Sequence, residues 1–318
     1  MWRQFPLFPP QASTFAGRED ALFFFLVAVS LVFVGLIFLL VTVFAIRYRR
    51  RSPDERPRRT REPLLLELAW TLIPFGLMVI MFAWGAQLFF FASRPPAGAM
   101  EVAVVGKQWM WKFQHPEGPR EIDELHVPVG VPVALTMTSE DVIHSFFVPA
   151  FRIKRDVVPG RYVTAWFQAT KTGSYHLFCS QYCGTQHAGM TGQVIVMDPV
   201  DFERWLQGRA GATPTPAAGG ELLFQRLGCS SCHQATDTGR GPSLAGVYGR
   251  SVKLADGKTV VADENYLREH ILTPGQQVVA GYPPIMPVFK GLVSEEQLLQ
   301  LIAYLKSLPQ EERAQAKP

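Results

Sequence analysis

Two long stretches without a single charge constrain this chain more than anything else in it. Ala21–Ile46 and Leu68–Phe91 contain no Asp, Glu, Lys or Arg. Each exceeds the roughly 20 residues that a helix needs to cross a bilayer, and buried core helices seldom run so long uncharged. The 318 residues suffice for two or three domains, and the remainder has the mixture of ordinary soluble sequence. The expectation is an N-terminal region, 1–97, built as a transmembrane hairpin with spans at about 21–46 and 68–91, and globular domains after it.

The net charge of +4 arises mostly between the two runs, where Arg47 to Glu62 holds eight arginines against Asp54, Glu55 and Glu62. A basic segment placed there fits the positive-inside rule better than nucleic-acid binding, so no nucleic-acid partner is expected. The loop is then cytoplasmic, with the N-terminus and everything after Phe91 outside. A secretory signal has an apolar core of roughly 7–15 residues with its positive charge in front. Here the run is longer and the arginines follow, which argues for a retained span; cleavage nearer the N-terminus stays open.

Residues 98–206 are read as one β-domain. Glu101–Val105, Val131–Thr138, Tyr162–Gln168 and Gln193–Met197 are rich in Val, Phe, Trp and Thr, with Gly and Pro between them, the pattern of an antiparallel sandwich or barrel. The Gly/Pro/Ala-rich stretch within 207–220 reads as a flexible linker. From 221 to 318 the character is helical. Glu221–Leu227 leads into a cysteine motif, and Ser294-Glu-Glu-Gln297 has the form of a capping box ahead of Leu298, Leu301, Ile302 and Leu305 on one helical face.

All four cysteines lie in two motifs, leaving none for another disulfide or a lipid anchor. The first is Cys179-Ser-Gln-Tyr-Cys183-Gly-Thr-Gln-His187-Ala-Gly-Met190. Two thiolates, an imidazole and a thioether in so short a span suit a soft metal, and Met favours copper over structural zinc. Two cysteines can bridge two coppers, which then require a second histidine from elsewhere. A Cys179–Cys183 disulfide is the competing reading, but it leaves the imidazole and thioether without a purpose.

These residues resemble the copper-A motif of cytochrome c oxidase subunit II. In that family the upstream histidine lies in an Asp-Val-x-His-Ser segment followed by a Pro-Gly-Arg turn; this chain has Asp141-Val142-Ile143-His144-Ser145 and Pro159-Gly160-Arg161. The resemblance implies a cupredoxin-like β-domain whose Cys179 and Cys183 bridge a dinuclear copper A centre. It makes His144 and His187 terminal ligands, Met190 a weak axial ligand and the backbone carbonyl of Gln181 the opposite one. Many members carry Glu between the cysteines and use it for a magnesium ion at the interface with subunit I. Gln181 departs from that, which puts the magnesium in question.

Other segments resemble the same family. In Gln108-Trp109-Met110-Trp111 the first tryptophan corresponds to the residue that passes electrons to copper, whereas Trp111 reads equally as core. Glu67-Leu-Ala-Trp70-Thr71-Leu-Ile-Pro74 resembles the start of the second span, where the glutamate lies near the mouth of a proton channel in subunit I. Without the resemblance, Glu67 reads equally as a helix-start acid favoured by the dipole. His115, His126, His176 and His270 are expected to be surface or packing residues with no part in either motif.

The second motif, Cys229-Ser-Ser-Cys232-His233, is the attachment signature of c-type haem. A thioredoxin-like pair would need a βαβ context, and a zinc site would need two more ligands. This region resembles a class I cytochrome c, an all-α domain. The resemblance makes His233 and Met286, in Tyr282-Pro-Pro-Ile-Met286-Pro287, the axial ligands. It has the Pro242 carbonyl accept from His233 and brings Arg250 to a haem propionate. Met–His ligation raises the potential, which suits a donor to copper.

The whole reads as a multi-pass protein of the bacterial cell (plasma) membrane with both globular domains outside, resembling subunit II of a caa-type oxidase. An external donor such as a cytochrome c, partner subunits I and III, and membrane lipid are implied, with O2 reduction and proton pumping in subunit I. Two other functions compete with this one: the copper-A subunit of a nitric oxide reductase, and a stand-alone membrane-anchored copper or redox protein. Glu67 favours the oxidase over the first, and Trp109 with the fused haem argues against the second.

Overall fold

The computed structural model describes residues 8–53, 55–56, 63–209, 214–234 and 239–309; residues 54 and 57–62 of the arginine loop lie outside them. The chain forms two compact units, one of Thr14–Arg94 and one of Met1–Ser13 with Pro95–Pro318.

The first unit is the helical pair α1 (Ala16–Arg47) and α2 (Leu64–Ser93). At about 1.5 Å per residue both are longer than the ~30 Å hydrocarbon layer. Both extend beyond the uncharged runs: polar Gly17–Asp20 and the Leu64–Glu67 turn are helical too, with acids in the first turns, where the dipole favours them. The helices are apolar on all sides, with Leu31, Phe38 and Phe82 exposed, as lipid-facing helices are. Phe25 and Trp84 meet between them at 5.4 Å.

The second unit begins with a β-sandwich. Its strands are β1 (Met100–Lys107), β2 (Met110–Gln114), β3 (Arg120–Ile122), β4 (Glu124–Pro128), β5 (Pro132–Ser139), β6 (His144–Val148), β7 (Ile153–Val157), β8 (Val163–Gln168), β9 (Gly173–Cys179) and β10 (Thr191–Met197). One sheet has the order β3-β2-β1-β5-β8 and the other β4-β10-β9-β6-β7. Inward residues alternate with outward ones: Leu177 and Cys179 of β9 are buried while His176 and Phe178 are exposed. Trp111, Phe113, Leu135, Met137, Phe146 and Phe167 fill the space between the sheets. The pairing is not purely antiparallel, since β1 runs parallel to β5 and β4 to β10. Ala12 and Ser13, just ahead of α1, are laced to this sandwich through Ala150, Phe151 and Thr170.

After β10, α3 (Pro199–Arg209) packs back on the sandwich, and α4 (Pro216–Arg226), α5 (Glu264–Leu272) and α6 (Glu295–Ser307) build the C-terminal domain. A short hairpin of β11 (Ser251–Lys253) and β12 (Thr259–Val261) accompanies the helices. The capping box at Ser294 and Gln297 is formed, and Leu298, Leu301, Ile302 and Leu305 are buried. The stretch read as a linker is largely helical: α3 reaches Arg209 and α4 starts at Pro216, while 210–213 lie outside the described residues. Gly219 and Gly220 are there for close packing. A Cβ on Gly220 would stand 2.0 Å from the Gln300 carbonyl oxygen of α6.

The C-terminal domain is docked on the sandwich. Val105 and Tyr162 share a core with Tyr266, Leu267, Leu298 and Ile302. Lys112 pairs with Glu140 at 3.2 Å on its own side and with Glu296 at 2.6 Å across the junction. Arg268 donates to the Gly160 carbonyl at 2.7 Å, and the Tyr162 amide donates to Asn265 at 2.8 Å.

Candidate metal centre and haem cavity

The register of two strands sets up the first site. Phe146 of β6 lies opposite Cys179 at the end of β9, and the Ser180 amide donates to the Ser145 carbonyl. His144, at the start of β6, therefore sits beside the turn that carries the two cysteines. His144, Cys179 and Cys183 are buried, with ligating atoms within 4.8 Å of one another. His144 Nδ1 is 3.9 Å from Cys179 Sγ, the sulfurs are 3.8 Å apart, and Cys183 Sγ is 3.5 Å from His187 Nδ1 and 3.8 Å from Met190 Sδ. The Gln181 carbonyl oxygen is 3.2 Å from Cys179 Sγ, while the Gln181 side chain is exposed.

Around these atoms the fold fixes orientation. His144 Nε2 donates to Asp141 at 2.8 Å, so Nδ1 is the nitrogen that faces the sulfurs. Asp141 also accepts from the backbone amides of Gln108 and Val142, each at 2.7 Å. Burial alone would raise the Asp141 carboxyl, but these donors hold it below the usual carboxylate range. Gly106 leaves room for the His144 ring, since a Cβ there would stand 3.0 Å from its Cδ2. Trp109 Nε1 and Gln108 Nε2 both donate to the Cys183 carbonyl, at 3.3 and 2.8 Å. Trp111 is buried edge-on to His144 at 6.0 Å.

Burial raises the thiols, but bonds from His144 and from the backbone of Ser145 and Gln181 hold Cys179 down at about 6. Cys183, buried beside that sulfur, is pushed up to about 12. Cys179 is the more acidic thiol of the pair, and the protons leave as a cation binds. With metal–sulfur bonds of about 2.3 Å, two sulfurs at this spacing can share an ion. The donor set fits a soft-metal site with two bridging thiolates.

The second site is a cavity of about 420 Å³ in the C-terminal domain, lined by Cys229, Cys232, His233, Pro242, His270 and Met286 among others. His233 Nδ1 donates to the Pro242 carbonyl at 2.9 Å, which leaves Nε2 free. Gly241 makes room for that ring, since a Cβ there would stand 2.8 Å from its Cε1. Arg250 lines the deeper, more apolar part and donates to the Ser243 carbonyl at 3.2 Å. Two thiols, an imidazole with one nitrogen free and a thioether around an apolar cavity fit a covalently held haem.

Three of the histidines expected to be bland have specific surroundings. His115 and His126 clamp the buried Glu121: His115 Nε2 bonds one carboxylate oxygen at 2.8 Å, and His126 bonds both through its ring and its amide. Trp205 of α3 stacks on His126 at 4.6 Å. Burial would raise Glu121, yet these donors pull it down to about 2. His270, expected to lie away from both motifs, lines the haem cavity. Burial and the neighbouring His233 hold its imidazole below the ordinary histidine range. His176 is exposed on β9, on the face opposite Cys179. Glu67 lies exposed in the first turn of α2.

Comparison with known proteins matches both outer domains. Residues 119–199 match the family model of the cytochrome c oxidase subunit II periplasmic domain, and residues 217–309 match that of cytochrome c. A cytochrome c oxidase subunit 2 from Alkalihalophilus pseudofirmus is 32% identical over 294 residues, covering 88% of this chain and 83% of the relative. Another, from Thermostichus vulcanus, is 32% identical over 253 residues, covering 63% of this chain and 77% of the relative. Among solved structures, the periplasmic domain of subunit II of cytochrome oxidase from Bradyrhizobium japonicum is 31% identical, covering 36% of this chain and 96% of that one, with a TM-score of 0.35. The chain belongs to the cytochrome c oxidase subunit 2 family, in a form that carries a C-terminal cytochrome c domain.

Proposed function

We propose that this chain is the electron-relay subunit of a proton-pumping terminal oxidase. It takes electrons from an external donor such as a cytochrome c and delivers them, by way of haem c and a dinuclear copper A centre, to the haem–copper site of subunit I. O2 is reduced to water there. The observation that carries the reading is the convergence of His144, Cys179, Cys183, His187 and Met190 on one buried spot, in a chain that also forms a Cys-x-x-Cys-His cavity.

When bound, the copper pair and the haem supply one-electron carriage; the side chains do the holding. Cys179 and Cys183 would hold the coppers through their thiolates, with His144 and His187 as the imidazole donors and Met190 and the Gln181 carbonyl as weaker ones. Asp141, Gly106 and the strand pairing fix these donors in advance, so the site has little freedom to rearrange between oxidation states. Cys229 and Cys232 would anchor the haem, His233 and Met286 would be its nitrogen and sulfur donors, Pro242 fixes the His233 tautomer, and Arg250 would pair with a carboxylate of the group. Trp109, hydrogen-bonded to the Cys183 carbonyl, is the aromatic contact through which electrons reach copper.

Glu67 stands at the mouth of a proton channel in subunit I, and the exposed Gln181 side chain offers an amide oxygen to a magnesium ion at that interface. The helical pair sits in lipid of the bacterial plasma membrane beside subunits I and III, with both globular domains outside. Solubilisation in mild detergent tests the assignment. The chain is expected to co-purify with a haem–copper subunit that consumes O2; isolation of the fully loaded chain without such a subunit overturns it.

A further inference from the structure

Strand β1 is buried on both faces, and each face belongs to a different domain. Side chains alternate along a strand. Val102 and Val104 point into the core of the sandwich. Val105, 2% exposed, belongs instead to the core of the C-terminal domain, with Ala103 packed against it. Gly106 follows on the inward face, where a Cβ would stand 3.0 Å from His144 Cδ2. The His144 ring therefore rests against bare backbone, with its Nδ1 3.9 Å from Cys179 Sγ.

On the other side, the core that holds Val105 also holds Val252, Tyr266, Leu267 and Leu305, and these four line the deeper part of the haem cavity. A single strand thus lies between the core that walls the haem cavity and the imidazole that faces the sulfurs. Two hydrogen bonds keep this junction shut: the Tyr162 amide donates to Asn265 at 2.8 Å, and Arg268 donates to the Gly160 carbonyl at 2.7 Å. Trp109, bonded to the Cys183 carbonyl, packs against the sandwich core instead, so it and β1 are separate approaches to the copper centre. Packed interiors hold few voids, and an electron tunnels further through bonded and packed atoms than across a gap.

We propose that an electron from this chain's own haem reaches the copper pair through β1, by way of Val105 and Gly106 to the His144 ring. This rests on the reading of the two sites as haem c and copper A. In the step ferrous haem becomes ferric and the copper pair takes up the one electron; no bond is made or broken and no proton moves. Val105 acts by filling the contact between the domains and Gly106 by leaving out a side chain, so both are positioning residues. The C-terminal domain delivers its electron from its docked place.

The test uses the complete chain carrying both cofactors. Pulsed electron paramagnetic resonance is expected to read one narrow iron–copper spacing; a broad spread overturns the proposal, since the route needs the two domains docked. One electron is then placed on the haem by a light pulse, and its arrival at copper is followed by absorption. Val105→Ala should slow that arrival severalfold with both potentials unchanged, because the void it leaves has lost its packed contacts. Leu267→Ala opens the same core from the haem side and should slow it too. Val102→Ala removes the same atoms from the other face of β1 and should keep the rate of the unmodified chain. Unchanged arrival in Val105→Ala and Leu267→Ala overturns the proposal, and so does equal slowing in Val102→Ala. Full copper and haem absorbance reports that each variant is folded. Absence of covalent haem or of the copper-pair signal from the unmodified chain would instead refute the reading of the sites.

Discussion

Asp141 accepts the Nε2 hydrogen of His144 at 2.8 Å, and that one bond decides which imidazole nitrogen faces the sulfurs of Cys179 and Cys183. The same carboxylate accepts the Gln108 amide, so it also fixes the turn that presents Trp109. A single residue thereby couples the ligand geometry to the aromatic side chain hydrogen-bonded to the Cys183 carbonyl.

Replacing that carboxylate while keeping its shape isolates its effect. Asp141→Asn can turn an NH2 group toward Nε2 and favour the wrong tautomer. Copper affinity should fall by about 10–100-fold, the usual cost of losing a partner that orients a ligand. Chelator competition measures it, with unchanged haem absorbance as the control for folding. Undiminished affinity would mean that strand packing alone orients His144.

Acid should loosen the sandwich through Glu121. Its folded value of about 2 lies below its ordinary 4.5. Its stabilisation is therefore fully present above about pH 4.5 and is lost as pH falls toward 2. The side chain is 2% exposed, so the loss can reach roughly 3 kcal/mol. Thermal melts between pH 5 and pH 3 should show a steeper fall for the unmodified chain than for Glu121→Gln. Both lose copper ligation in acid alike, so parallel curves would remove Glu121 from the account.

The junction between the two outer domains should respond unequally to two of its cations. Arg268 is 7% exposed on its side chain and bonds both Glu295 and the Gly160 carbonyl. Arg268→Ala leaves Glu295 uncompensated and should destabilise the C-terminal domain by about 3 kcal/mol. Lys112 is 24% exposed, and Lys112→Ala should cost under about 1 kcal/mol. Urea unfolding followed at the haem band distinguishes them; equal costs would contradict the burial argument.

How much of this was legible beforehand depended on whether a feature is local in sequence. The two cysteine motifs, the apolar runs and the Ser294 capping box are local; residue content with Gly and Pro between places β1, β5, β8 and β10 within a few residues, and helical spacing places α6. His144 reached the copper site through a resemblance, because only the β6–β9 register brings it to Cys179. The Glu121 clamp needed the β2–β3 turn and β4 to bring His115 and His126 together, which no spacing rule reports. Gly219 and Gly220 looked like linker because composition cannot tell a glycine chosen for freedom from one chosen for close approach to α6. Spacing does not place His270 at the cavity either: what it faces is set by packing of α5, far along the chain from Cys229.

The central claim is that Cys179 and Cys183 together hold a shared copper pair while the haem is held independently in the C-terminal domain. Cys183→Ser tests it most directly, read by electron paramagnetic resonance and optical absorption on one purified sample. The shared-valence copper signal should vanish while covalent haem c absorbance persists at full occupancy. A copper pair signal that survives the substitution would contradict the bridging role of Cys183.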